Sequence, residues 1–188
     1  MMNTKLAGTT WASLIFCLLV FFAGIASASG LTTAQRAALA ADITAAQEFA
    51  AVPHNENGAY AIAEAYNLPT ASFVVWKTSV NIDEIMRNGI AWDRVDNLSV
   101  GKARVWDWMS RLGSFDCSRA NIRAGIDATW VGTAADLAVR ATVYTHCKRL
   151  ATRVERLFAT GTGTTNDPGL LVLEGAINYR DVADAMEW

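Results

Sequence analysis

Residues 133–158 read TAADLAVRATVYTHCKRLATRVERLF and predict the longest helix of the chain. Apolar side chains here recur at steps of four and three, the spacing of one helix face: Val143, Cys147, Leu150, Val154 and Leu157. Arginines occupy the other side: Arg149, Arg153 and Arg156. The pattern therefore predicts a long central helix from Thr133 to about Phe158, with one buried face and one solvated face.

Two charged residues interrupt the buried face of this predicted helix. Asp136 and Arg140 both project into the apolar stripe and lie four residues apart. Residues at this spacing can form an ion pair along a helix. Either the first turns of the helix project beyond the core, or the pair is covered by something else, such as another subunit.

A strand followed by a capped helix occurs twice. Phe73–Trp76 is β-prone and leads to Asn81, and Leu170–Leu173 is β-prone and leads to Asn178. Each asparagine can cap a helix, because its side chain accepts a hydrogen bond from a free backbone N–H in the first turn. The two strands are predicted to pair with each other as a small two-stranded sheet. Together with the helices, they predict an α+β, mostly α fold for a single domain over residues 29–188.

Two further helix starts carry capping signals. Thr32 with Gln35 fits a capping box, and Ser99 can cap a second helix that ends near Leu112. The predicted buried stripe of this second helix is Val105, Trp108, Met109 and Leu112. Trp106 falls about 100° away from that stripe, so it either contacts another layer of core or is available to a partner molecule.

Residues 1–28 have the layout of a secretory signal peptide. One charge, Lys5, precedes an unbroken apolar run, and Ala26-Ser27-Ala28 supplies the small residues of a cleavage site. The run is about 15 residues long, shorter than the roughly 20 that a transmembrane helix needs. We therefore expect cleavage and no stable membrane anchor. The alternative is an upstream extension of a chain whose working start lies near Leu31.

Composition limits the possible partners. The 188 residues carry a net charge of −2, which gives no electrostatic reason to expect nucleic acid as a partner. Cys117 and Cys147 are the cysteines that follow the leader. In an oxidising compartment they can form one bridge across about 30 residues, which could contribute about 3 kcal/mol. In a reducing compartment they would be small apolar side chains.

The residues after the leader contain no pattern that carries catalytic chemistry. There is no Gly-x-Ser-x-Gly elbow, no His-Glu-x-x-His helix and no close Cys-x-x-Cys pair. His54 is isolated in a predicted exposed loop. On the predicted helix, His146 and Cys147 point about 100° apart, and the thiol lies on the buried face. We therefore predict no enzymatic activity, no cofactor, no metal site and no small-molecule substrate.

The loop from Gly161 to Gly169 reads GTGTTNDPG and has the most flexible composition after the leader. It is either a mobile loop that orders against a neighbour in an assembly or a plain connector. The predicted interaction surface combines this loop with the residues that fit the core pattern least: Trp106, Asp136, Arg140, Gly161, Thr162, Gly163 and Thr164.

Four runs of sequence resemble a family of small proteins from the structural-gene clusters of tailed bacteriophages and prophages. The runs are Asp83–Met86, Asp96–Arg104, Ala124–Trp130 and Phe158–Gly163. The likeness spans residues 31–186, and members of the family begin near the position of Leu31, so the leader is a departure from the pattern.

This resemblance implies a virion morphogenesis protein that acts by protein contacts in head-to-tail or tail assembly. Its partners would be other virion proteins or copies of itself, assembled into the virion in the host cytoplasm. The alternative uses the leader as written. It is a small exported cell-envelope protein, periplasmic or secreted, with a cleaved signal peptide and one Cys117–Cys147 disulfide.

Overall fold

Helices dominate the part of the chain that the computed structural model describes, which is residues 30–88 and 90–188. The predicted leader, residues 1–28, lies outside the described residues. The helices are α1 (Thr33–Ala45), α2 (Glu56–Asn67), α3 (Ile82–Asn88), α4 (Trp92–Asp96), α5 (Val100–Ser110), α6 (Ala120–Thr129), α7 (Ala134–His146), α8 (Arg153–Phe158) and α9 (Tyr179–Met186), with a 3-10 turn at Gln47–Phe49. The strands are β1 (Pro69–Trp76), β2 (Val80–Asn81), β3 (Ser114–Phe115) and β4 (Lys148–Thr152). The predicted α+β, mostly α class is confirmed.

Side-chain caps explain where several helices begin. The Thr32 hydroxyl accepts a hydrogen bond from the backbone N–H of Gln35, whose side chain in turn accepts one from the Thr32 N–H, as predicted for α1. Ser99 caps α5, and Asn178 caps α9. Each cap satisfies backbone donors that the first helical turn leaves without a partner.

The predicted long central helix is wrong, because the chain turns at Cys147. Helix α7 ends at His146, residues 148–152 form strand β4, and α8 is a separate short helix. Thr152 caps α8 in a complete capping box with Glu155. The apolar spacing across residues 143–157 thus belongs to three elements rather than one, and tertiary pairing of residues 148–152 overrides their helical pattern.

Strand β1 pairs with β4 in antiparallel register, with Val74 opposite Leu150 and Trp76 opposite Lys148. The prediction that Phe73–Trp76 pairs with Leu170–Leu173 is wrong. Among the described residues Leu170 bridges Thr160, and it is the preceding residue, Gly169, that forms an isolated bridge to Val75. The predicted helices after both asparagines are present. A second, shorter pair joins β2 to β3.

Two groups of buried side chains hold residues 31–188, which form one compact unit. The first group includes Ile85, Trp106, Phe115, Ile126, Trp130, Val143 and both bridged cysteines. The second includes Leu39, Ile62, Tyr66, Val154, Ile177 and Val182. Strands β1 and β4 each connect an element of one group to an element of the other along the chain. The β1–β4 pair therefore ties the two groups together.

Candidate functional site

An open groove of about 770 Å³ lies between α7, the β1–β4 pair and the Gly161–Gly169 loop. We call it the basic groove; the lining residues used below are Val74, Asp127, Leu137, Arg140, Tyr144, Lys148, Arg149, Leu150 and Thr165. Leu137 and Leu150 are large apolar side chains, yet they remain 40% and 43% exposed. The groove thus presents apolar surface beside charged groups, a combination that suits a binding site.

Lys148 is the central cation of the basic groove. Its Nζ lies 5.1 Å from the centroid of the Trp76 ring and donates a 2.8 Å hydrogen bond to the Thr165 carbonyl oxygen. Burial lowers the pKa of Lys148, because desolvation disfavours the charged ammonium. Among the described residues no carboxylate forms an ion pair with it. In the part of the chain that the structure describes, its ammonium is stabilised by a carbonyl dipole and by the ring faces of Trp76 and Tyr144.

Two arginines lie near this region: Arg140 lines the groove, and Arg123 contacts the same Trp76 ring as Lys148. Arg140 Nη1 lies 3.6 Å from Asp127 Oδ1, a long contact for an ion pair. The Arg123 guanidinium lies over the Trp76 ring at 4.9 Å and donates to the Cys117 and Ser118 carbonyls. Of the described residues that line the groove, Asp127 alone carries a carboxylate. The lining cations are Arg140, Lys148 and Arg149, so the groove has an excess of positive charge.

Tyr144 fixes the position of that carboxylate. Its hydroxyl lies 3.0 Å from Asp127 Oδ1 and 3.1 Å from the Arg123 carbonyl oxygen, and both can accept from it. Burial and the hydrogen bond to Asp127 raise the pKa of Tyr144, so the phenol stays protonated at neutral pH. Asp127 is thus engaged by both Tyr144 and Arg140, so it does little to neutralise the positive charge of Lys148.

The outer edge of β4 is unpaired beside the groove. The amides of Val74 and Trp76 donate to the carbonyls of Gly163 and Gly169, away from β4. In an antiparallel pair, the residues opposite them then also point their backbone groups outward. Among the described residues, neither the Leu150 N–H nor the Lys148 carbonyl has a hydrogen-bond partner.

The structure brings two of the predicted interaction regions to this groove. Arg140 lines it directly, and Thr165 of the Gly161–Gly169 loop forms part of its wall. The loop is held by its own hydrogen bonds: Thr162 Oγ1 donates to Asp167 Oδ2 at 2.8 Å, and the Asp167 N–H donates to Thr164 Oγ1 at 3.0 Å. The side chains of Thr162, Thr164 and Asp167 thus bond within the loop, which favours the interpretation of the loop as a connector.

The ring of Phe73 packs against Gly163 so closely that a side chain there is excluded. A Cβ at Gly163 would lie 2.2 Å from Phe73 ring carbons, and Gly163 has a φ of +66°. Gly163→Ala is expected to lower the free energy of unfolding by about 2 kcal/mol, because a left-handed conformation and a displaced ring are both unfavourable. Urea denaturation measures this value. As a control, Gly101→Ala in α5 meets no atom within 4 Å and should be stabilising by about 0.5–1 kcal/mol; equal effects of both variants would contradict the account.

The other predicted surface residues lie elsewhere. Trp106 is 3% exposed in the first core group, so it is a core residue, whereas Trp108 and Leu112, both predicted to be buried, are each 62% exposed. Asp136 and Arg140 do not pair with each other. Asp136 accepts from the Thr133 N–H as part of a capping box and pairs with Arg94 at 2.6 Å, while Arg140 faces Asp127.

Asp136 should titrate well below an ordinary aspartate. The hydrogen bonds from Arg94 and from the Thr133 backbone and side chain lower its pKa to about 2. Since the folded-state pKa is depressed, its contribution to stability is present above pH 3.8 and is lost as the pH falls through about 2. Arg94→Met is expected to raise the Asp136 pKa toward 3.8 in an NMR titration of the carboxyl carbon. Arg111→Met, which removes an arginine–aspartate pair at an exposed position away from Asp136, should leave the Asp136 pKa unchanged. An unshifted Asp136 pKa in Arg94→Met would contradict the assignment.

The residues with the most reactive side chains do not converge. Cys117 and Cys147 are joined in a disulfide, His146 Nδ1 lies 3.1 Å from Glu84 Oε1, and His54 stacks on Trp188. Within residues 30–88 and 90–188, no group of three or more histidine, cysteine or acidic side chains could hold a metal ion. These groups therefore have structural contacts that account for their positions.

Comparisons with known proteins supply no relative for the chain. No protein-family model matches it, and no curated protein or solved structure is significantly similar. In the part of the chain that the structure describes, no helix combines the length and apolar character needed to cross a bilayer. The basic groove is therefore the feature on which a functional proposal depends.

Proposed function

We propose that this chain is a non-enzymatic structural protein of a tailed phage or prophage virion, acting by protein contacts in head-to-tail or tail assembly. The observation that carries the proposal is the basic groove. It is an open, partly apolar surface with an excess of positive charge and an unpaired strand edge. Such a surface is suited to binding another chain. The resemblance of residues 31–186 to the phage family supplies the class of partner.

The positions of the reactive groups also support a binding role over an enzymatic one. A thiol nucleophile needs a free thiolate near a base, and both cysteines after the leader are bonded to each other. Among the described residues that line the groove there is no histidine, and the one carboxylate is engaged by Tyr144 and Arg140. The groove therefore holds no hydroxyl–imidazole pair of the kind that activates a serine or threonine nucleophile.

The particle itself tests this proposal. In a prophage-bearing host, mass spectrometry of purified particles is expected to detect peptides from residues 31–188. Arg140→Glu should lower the yield of complete particles at least tenfold, because the groove loses its complementarity to the partner. Arg87→Glu is the matched control, since Arg87 is exposed and, within the described residues, pairs only with Asp83 on its own helix. Particles that lack the chain, or equal yields from the two variants, would refute the proposal.

The disulfide favours a second candidate function, a small exported cell-envelope protein. Cys117 and Cys147 are fully buried and bridged, and such bridges persist in oxidising compartments. Intact-mass measurement of protein made in a bacterial host separates the candidates. A periplasmic chain that begins at Ser29 and lacks two hydrogens supports export. A chain with free thiols recovered from particles supports the virion.

A further inference from the structure

We infer that the basic groove takes an extended, acidic segment of a partner protein, which adds as a strand along the open edge of β4. The inference rests on the proposed contact function and names the chemistry of the contact. Its basis is threefold: the charge of the groove, the free backbone groups of β4 and the spacing of Leu150 and Lys148 along that strand.

Charge decides between an acidic partner and a second copy of this chain. Lys148 has no carboxylate partner among the described residues. Arg140 is 3.6 Å from Asp127, whose carboxylate also accepts a hydrogen bond from Tyr144. Arg149 is already neutralised by Glu155. Two copies pairing through the same edge would bring their Lys148 side chains into one groove, where like charges repel. An aspartate or glutamate from a different chain would instead approach Lys148 with opposite charge.

The backbone of β4 favours a protein chain over a small anion. The Leu150 N–H and the Lys148 carbonyl point away from β1 and lack partners among the described residues. An extended segment laid along this edge supplies an acceptor for the first and a donor for the second, as in strand addition to a sheet edge. A free carboxylate or phosphate has no N–H to offer to the Lys148 carbonyl.

The spacing on β4 sets the sequence of the segment. Leu150 and Lys148 are two residues apart and therefore project to the same face of the strand. A paired strand would place one side chain opposite each of them. The segment should therefore carry an aliphatic residue and an acidic residue two positions apart, with the aliphatic side chain against Leu150 and Leu137.

Selection from a random nonapeptide library on the full-length, oxidised chain tests this requirement. Enriched peptides are expected to contain aliphatic-x-Asp or aliphatic-x-Glu in either direction. For the most enriched peptide, synthesised with a fluorophore, Lys148→Glu should weaken binding at least tenfold by anisotropy. Lys102→Glu is the matched control, because Lys102 also donates to a carbonyl, that of Val131, but lies outside the groove. Enrichment without an acidic residue, or binding that Lys148→Glu leaves intact, would overturn the inference.

A second measurement needs no variant and is specific to strand addition. In hydrogen-exchange NMR of the wild-type chain, the Leu150 amide should exchange at least tenfold more slowly when the acidic peptide is bound. A bound peptide that leaves this amide unprotected would overturn strand addition. The two hypotheses also fail separately. Particles that contain the chain, together with a groove that binds no acidic peptide, would refute this inference alone. A peptide-binding groove in a chain absent from particles would refute the virion role alone.

Discussion

Glu155→Gln is expected to lower the free energy of unfolding by about 3 kcal/mol, the largest effect of a single substitution that we predict in this chain. The Glu155 side chain is 2% exposed and accepts two hydrogen bonds from Arg149, at 2.6 and 2.7 Å. It also accepts from the backbone N–H groups of Thr152 and Gly175. Glutamine has the same shape but presents an NH₂ group to these donors, so at least one buried donor would lose its partner.

Glu174→Gln provides the matched control, because it removes a carboxylate from the same arginine at an exposed position. Glu174 Oε1 lies 3.6 Å from Arg149 Nη2, and its side chain is 45% exposed. Exposed pairs contribute little, so we expect a loss below about 1 kcal/mol. Chemical denaturation of the two variants measures the difference. Equal losses would show that the buried hydrogen bonds of Glu155 contribute no more than a surface contact.

The Glu155 contribution should also depend on pH. Burial alone would raise the pKa of this carboxyl, but the hydrogen bonds from Arg149 and the backbone outweigh it and lower the pKa below 4.5. Because the folded-state pKa is depressed, the stabilisation is fully present above the unfolded value and disappears as the pH falls through the folded value. The difference between wild type and Glu155→Gln should therefore shrink in acid. A difference that stays constant from pH 7 to pH 3 would contradict the assigned cause.

Local capping signals in the sequence predicted helix starts correctly. Thr32, Ser99 and Asn178 each act on a donor within three residues, so the physical cause and the sequence signal lie in the same short segment. The break at Cys147 had such a signal too. Thr152 and Glu155 form a capping box inside the predicted long helix, and that box marked a new start that the apolar spacing concealed.

Pairing between distant segments was not readable from local pattern. Strand β4 exists because residues 148–152 pair with β1, which lies more than seventy positions earlier, and Asp136 faces Arg94 from a different helix. That Trp106 is buried and Trp108 is exposed likewise depends on which side of α5 packs against the core. Arg140 was found from its mismatch with the helix face, whereas no local pattern singled out Lys148. Whether a cation such as Lys148 has a carboxylate nearby depends on residues that are distant in sequence, so only the folded structure shows it.

Reduction of the Cys117–Cys147 bridge is expected to lower the free energy of unfolding by about 3–4 kcal/mol. The bridge closes a loop with a sequence separation of 30 and joins the end of α7 to the segment before α6. Reducing the bridge leaves the folded contacts largely in place but gives the unfolded chain more conformations. The higher conformational entropy stabilises the unfolded state relative to the folded state. Urea denaturation of the same protein with and without reductant measures the effect without a change in sequence.

The double variant Cys117→Ala, Cys147→Ala is the control for this effect, because it has no bridge under either condition. Its urea midpoint should be the same with and without reductant, whereas the wild-type midpoint should fall. An unchanged wild-type midpoint would contradict the prediction. The free energy of unfolding of a small domain is commonly about 5–15 kcal/mol, so the reduced chain should remain folded but with a much smaller free energy of unfolding. A reduced chain that stays folded at 37 °C is compatible with assembly in the cytoplasm. A reduced chain that unfolds at 37 °C would require an oxidising compartment and would favour export over the virion.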